Sequence, residues 1–183
     1  MINYKYVFYF IFINLFLGAC KERHNTKINH TNIQSKEFQD KLIEANKMYV
    51  KRESDEIDQY ALRKGWKMNT TGTGLRYLII FNGGGAPARL DEMAKVNFKI
   101  SLLDGTVCYS SDSTGAKEFL IGKDNVETGL HEGIQLMHVG DKAILILPSH
   151  LAHGLIGDEN RIPPKSSVIY ELELLSLRNR ASN

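Results

Sequence analysis

Along the chain, the spacing of apolar and polar positions changes three times. Val7 to Leu17 is an apolar run broken only by Tyr9 and Asn14. Residues 21–34 are polar with few apolar side chains, the composition of a disordered tether. From Ser35 onward apolar residues recur at helical spacing. Phe38, Leu42, Ala45 and Tyr49 fall on one helical face. Ser35 can cap the start, and Arg63-Lys64-Gly65 reads as a helix end. The pattern predicts one or two helices over 36–64, with a break near Ser54. Such an amphipathic arm can join two copies of the chain or fold back on its own domain, and its stripe is short for a coiled coil.

Beyond Gly65 the period shortens. Leu75 to Ile80 is apolar and aromatic, bounded by Thr-Gly-Thr-Gly and Asn-Gly-Gly-Gly. Val96, Phe98, Ile100 and Leu102 alternate as one face of a half-buried strand, and Asp104-Gly105 turns the chain into Thr106–Tyr109. Ala143–Leu147 is a short apolar strand stopped by Pro148, and Val168–Leu174 is another with partial alternation. One helix fits near Asn125–His138. These elements predict an α+β domain, a mostly antiparallel sheet with a single covering helix. The segments are then 1–19, 20–34, 35–65 and 66–183.

Composition narrows the function classes. The 183 residues are 43% hydrophobic and 24% charged, ordinary globular values. With 23 basic and 21 acidic residues the formal net charge is +2, so nothing points to nucleic acid as a partner. Lys5 and the apolar run after it suit a signal peptide; the run is too short to span a bilayer comfortably. It ends in Leu17-Gly18-Ala19-Cys20, which resembles the lipobox of bacterial lipoproteins. That resemblance implies that 1–19 is removed, that Cys20 is acylated and anchors the chain to a membrane, and that 20–34 is a lipidated tether. Lys21, where some bacteria use aspartate for inner-membrane retention, points to the outer membrane. Cys108 is then left without an intramolecular disulfide partner, so the core must hold the fold.

Little in the chain resembles a conventional catalytic centre. His131, His138, His150 and His153 lie near one another, but no Cys or acidic ligand completes a zinc spacing. Gly83-Gly84-Gly85 lacks the Lys-Ser/Thr and helix of a phosphate loop, and Ser149-His150 lacks a nucleophile elbow. No metal or cofactor is expected.

The ordered punctuation from Asp104 to Leu175 is more specific. Asp104-Gly105, Ser110-Ser111, Phe119-Leu120-Ile121-Gly122, Glu132-Gly133, Gly140-Asp141-Lys142, Ala152-His153-Gly154, Ile162-Pro163-Pro164 and Glu171 to Leu175 follow in sequence. Over about residues 75–178 the chain resembles the FKBP-type peptidyl-prolyl cis-trans isomerases. Gly129-Leu130-His131-Glu132-Gly133-Ile134-Gln135-Leu136-Met137 and Pro148 to Gly154 resemble a branch of envelope lipoproteins associated with gliding motility in Bacteroidetes-type bacteria. The family resemblance implies a twisted antiparallel sheet wrapped around one short helix, with a proline-binding pocket between them. It assigns the pocket lining to Phe98, Phe119, Val126, Leu130, Ile162 and Tyr170. Leu130 stands on the floor, where many members carry tryptophan. The Glu127 N–H stands where the family meets a substrate carbonyl, and His153 where many members have tyrosine. Each apolar residue is equally at home as plain core. Cys108-Tyr109 replaces the usual Phe-Asp; a one-residue register change would let Tyr109 restore the ring.

Rotation about an Xaa–Pro bond loses amide resonance and meets a barrier of ~20 kcal/mol. An apolar, water-poor cleft favours the twisted state over the planar one, and neither a nucleophile nor a proton shuttle is needed. The expected function is isomerisation of Xaa–Pro bonds in proline-containing envelope or secreted clients. The alternative is a catalytically weak chaperone or scaffold in a gliding-motility or secretion complex.

Overall fold

The computed structural model describes residues 36–179, so the apolar leader, Cys20, the tether and Ser35 lie outside the described residues. Residues from Glu44 onward form one compact unit. Among the described residues no helix is long and apolar enough to cross a membrane.

Helix α1 spans Lys36–Arg63 without the expected break. Ser54 does not interrupt it because its hydroxyl accepts a 2.6 Å hydrogen bond from Arg76, instead of competing for the helix backbone. The buried stripe also lies further along than the spacing of Phe38, Leu42, Ala45 and Tyr49 suggested. Glu53, Ile57, Tyr60 and Ala61 are the buried residues of α1, whereas Phe38 and Leu42 are exposed.

Seven antiparallel strands follow: β1 Asn69–Thr70, β2 Arg76–Phe81, β3 Glu92–Leu102, β4 Val107–Ser110, β5 Lys117–Leu120, β6 Lys142–Leu147 and β7 Val168–Asn179. They order as β1-β2-β6-β7-β3-β4, and β5 pairs with the other end of the β3 edge. A single turn, α2 Ser111–Thr114, separates β4 from β5 and is capped by the Ser110 hydroxyl. Helix α3, Thr128–Ile134, is shorter than the predicted Asn125–His138. At its end Leu136 and Met137 make tight bonds to Gly133 and Ile134, and His138 bridges Pro87.

Both faces of the central strands are covered. Ala143, Leu145 and Leu147 of β6 join the main core with Phe119, Leu130, Ile134, Ile162 and Tyr170. The intervening Ile144 and Ile146, with Ile169, pack on Ile57 and Tyr60 of α1. That is why β6 reads as a continuous apolar run, whereas strands with one solvent face alternate. Helix α3 meets β6 closely: a Cβ on Gly129 would lie 2.6 Å from Leu147, and one on Gly133 2.4 Å from Leu145. Larger residues at these positions would lift the helix off the sheet.

Candidate active site

Cross-strand pairing sets the wall of the site. Tyr77, Leu145, Tyr170, Ile100 and Tyr109 stand directly opposite one another across β2, β6, β7, β3 and β4. Opposed residues project to the same side of a sheet, so Tyr109 faces the core along with Tyr170. The register of β3 on β4 shifts between Ile100 and Ser101, leaving Cys108 unpaired in a bulge. Through that bulge Cys108 is buried in the same core that Tyr109 packs against. Tyr109 thus supplies a ring on the core face of β4.

The structure brings the nine sequence-assigned residues to one region. Phe119, Leu130, Ile162 and Tyr170 belong to the buried core, and Phe98, Tyr109 and Val126 are half-buried against it. Glu127 precedes the first turn of α3, and its N–H donates to no group among the described residues. Lys117, Asn125, Val126, Glu127, Ala152 and His153 line an adjoining recess of about 300 Å³. Here the Glu127 carboxylate turns inward, with Oε1 2.9 Å from Nε2 of His153. The pair is close in distance but out of line for a hydrogen bond. The Tyr170 phenol is held well above its ordinary pKa, first by burial, then by the charge of the neighbouring Glu127 carboxylate and by hydrogen bonding to it, so it stays neutral.

Sequence reasoning missed Asp158 and Lys117. Asp158 lies in the loop after the 3-10 turn Ser149–Leu151. Asp158 Oδ2 accepts a short hydrogen bond from the Tyr109 hydroxyl, while Oδ1 accepts from the N–H groups of Asn160, Arg161 and Ile162. Burial alone would raise the Asp158 pKa, but these four donors outweigh it and lower the value to about 2. The same bond raises the Tyr109 pKa. The Arg161 guanidinium lies 5.5 Å from the Tyr109 ring centroid and donates to the Cys108 carbonyl at 2.7 Å. Gly157 permits this tight loop: its φ is +73°, and a Cβ there would sit 2.2 Å from the Ile162 carbonyl oxygen. The signal in the sequence is Gly157-Asp158-Glu159-Asn160, an Asx-turn pattern whose tertiary partner no local pattern reveals.

Other candidate groups have structural partners. Burial pushes the Cys108 thiol pKa up, opposite to the shift a nucleophile needs. His131 accepts at Nδ1 from the Gly122 N–H and meets the Asp124 carbonyl through Nε2, both at 2.9 Å. His150 Nε2 lies 3.0 Å from the Thr73 carbonyl oxygen. Ser149 bonds to Glu53, not to a histidine.

A family model, FKBP-type peptidyl-prolyl cis-trans isomerase, matches residues 84–175. The chain belongs to this family. It is 38% identical over 123 residues to the FKBP-type 22 kDa peptidyl-prolyl cis-trans isomerase of Escherichia coli, covering 66% of this chain and 57% of that protein. It is 32% identical over 165 residues to the FKBP-type peptidyl-prolyl cis-trans isomerase FkpA of Buchnera aphidicola, covering 85% and 67% respectively. The crystal structure of FkpA from Escherichia coli superposes with a TM-score of 0.62 at 24% identity, covering 97% of this chain and 83% of that one. That likeness concerns the fold alone. The chain thus spans little more than half of the E. coli 22 kDa relative. In this chain the pocket is flanked by Tyr109 with Asp158 on one side and Glu127 with His153 on the other.

Proposed function

We propose that the protein catalyses cis-trans isomerisation of Xaa–Pro bonds in proline-containing polypeptides. The observation that carries this reading is the open N–H of Glu127 at the rim of the apolar cluster formed by Phe98, Tyr109, Phe119, Val126, Leu130, Ile162 and Tyr170. A proline ring entering that cluster leaves water, and the N–H holds a substrate carbonyl while the amide twists. Desolvation disfavours the charge-separated planar amide more than the twisted one, so the barrier falls. Every step is binding and orientation; no proton or electron pair is transferred to the protein.

The setting is part of the proposal. The Leu17-Gly18-Ala19-Cys20 signal supports a lipid anchor at Cys20, and Lys21 supports the outer membrane, with the domain facing the periplasm. Clients are then envelope or secreted chains. Leu42, Ile43 and Met48, between 49% and 60% exposed on α1, support a homodimer through the 36–64 arm. The 129–137 and 148–154 motifs support a place beside gliding-motility or secretion machinery.

The test is cis-to-trans isomerisation of short Xaa–Pro peptides by the full chain. Acceleration is expected, and Tyr109→Ala and His153→Ala should reduce it. Pocket contacts worth ~2–3 kcal/mol at the transition state correspond to roughly 30- to 150-fold in rate. A folded protein that accelerates no peptide refutes the enzyme and leaves a binding module.

A further inference from the structure

Among the described residues, three buried polar side-chain atoms lack a well-aligned hydrogen bond: Glu127 Oε2, His153 Nε2, which lies 2.9 Å from Glu127 Oε1, and Tyr170 Oη, which approaches the same carboxylate. All three are at this one site. Buried polar side chains elsewhere are served: Glu53 accepts from Ser149 and Ser167, Arg76 donates to Asp58, and Asp141 accepts from the N–H groups of Gly83 and His138. Buried polar groups that meet one another only imperfectly keep unused bonding capacity at a cost, so three of them in an opening suit a ligand that completes their bonds.

The partner's chemistry follows from the carboxylate. The Glu127 side chain is only 10% exposed, and its Oε2, which makes no well-aligned hydrogen bond, can only accept when ionised. The groups facing it are the His153 imidazole, the neutral Tyr170 phenol and, lining the same recess, Lys117. A cationic donor makes the strongest bond to such an oxygen, about twice as strong as a neutral one. Val126 and Ala152 give the recess apolar flanks along which a long aliphatic stem can lie. Lys117 opposes a cation, but it is exposed and water screens it, whereas the buried carboxylate is screened far less.

We infer that Glu127 is a specificity-determining residue that makes the site favour polypeptides with Lys or Arg next to the proline and disfavour those with Asp or Glu there. The inference rests on the prolyl pocket proposed above, because the recess adjoins Val126 and would receive a residue flanking the bound proline.

The experiment measures both affinity, by NMR titration, and kcat/KM, using the full chain. The peptides are Ala-Lys-Pro-Phe, Ala-Leu-Pro-Phe and Ala-Glu-Pro-Phe, with a matching series varied after the proline. In at least one series the Lys peptide should exceed the Glu peptide tenfold or more. Glu127→Gln should bring that ratio below about threefold, and Lys117→Ala should widen it. A ratio that Glu127→Gln leaves unchanged, or a preference for Glu, overturns the inference. If Glu127→Gln fails to fold, a ratio that does not widen in Lys117→Ala does the same. Glu127-dependent ranking of affinities without any acceleration keeps the inference and removes the isomerase. Absence of binding to every peptide removes both.

Discussion

Glu53 ties helix α1 to the two ends of the segment that carries the site. Its carboxylate is buried and accepts from the Ser149 N–H at 2.7 Å, the Ser149 hydroxyl at 3.1 Å and the Ser167 hydroxyl at 2.7 Å. Ser149 follows β6 and Ser167 precedes β7, so the loop between them bears His153, Asp158 and Ile162. Glu53→Ala leaves the Ser149 N–H and the Ser167 hydroxyl without their buried acceptor, while the Ser149 hydroxyl keeps only its 3.3 Å contact with Tyr49. A hydrogen bond to a charged group contributes about 1.5–3 kcal/mol, and relief of carboxylate desolvation offsets part of the loss. The expected destabilisation is about 3–5 kcal/mol, a large share of the 5–15 kcal/mol of an ordinary domain. Trp66, the sole tryptophan, reports on the interface because its ring meets Tyr60 of α1 edge-on at 5.8 Å. In urea unfolding followed by its fluorescence, a slope near ~2 kcal/mol/M places the midpoint about 1.5–2.5 M lower. Glu56→Ala, exposed on the same helix, should cost less than about 0.5 kcal/mol. Midpoints of the two variants that agree within about 0.3 M would refute the clamp.

Asp158 gives a pH signature. Its folded-state pKa of about 2 lies below the ordinary 3.8, so its stabilisation is complete above that ordinary value and is lost as pH falls towards 2. Solvent screening reduces the contribution to about 1–2 kcal/mol. The stability gap between the wild type and Asp158→Asn should therefore shrink between pH 6 and pH 3, and a constant gap refutes the assignment. Gly133→Ala would put a methyl 2.4 Å from Leu145 and should cost about 1–3 kcal/mol, lowering Tm by roughly 3–10 °C in calorimetry. An unchanged Tm would mean that α3 can retreat from β6 without penalty.

Helical and strand periods made α1, β2, β3, β4, α3, β6 and β7 legible in order but passed over the short β1, α2 and β5, and the ordered punctuation from Asp104 to Leu175 made the family legible. What the pattern hid is tertiary. The buried stripe of α1 includes a glutamate, so an apolar count passed over Glu53 and favoured Phe38 and Leu42. Ser54 read as a helix breaker because its Arg76 partner lies 22 residues away. Whether Tyr109 restores the ring at Cys108-Tyr109 was not legible locally, because a bulge, which depends on two strands, decides where both side chains point. Asp158 escaped notice because its partner Tyr109 lies 49 residues earlier in the chain.

The polar groups raise the question of how a site that works by excluding water tolerates a carboxylate. Their placement answers it. Glu127 and His153 line the recess before α3, whereas Phe119, Leu130 and Ile162 are buried core beside it, and the Tyr170 phenol is kept neutral. A charge set to one side leaves the surroundings of the twisting amide apolar while still acting on the residue next to the proline. The two functions should then separate under mutation. Truncating a wall residue that is only half-buried, such as Tyr109, should slow every Xaa–Pro peptide by a similar factor in the folded variant. Altering Glu127 should change the ranking of peptides more than the mean rate. If both kinds of substitution slowed all peptides in parallel, the carboxylate would be part of the rate-determining surroundings of the amide itself, and the division into an apolar wall and a polar recess would fail.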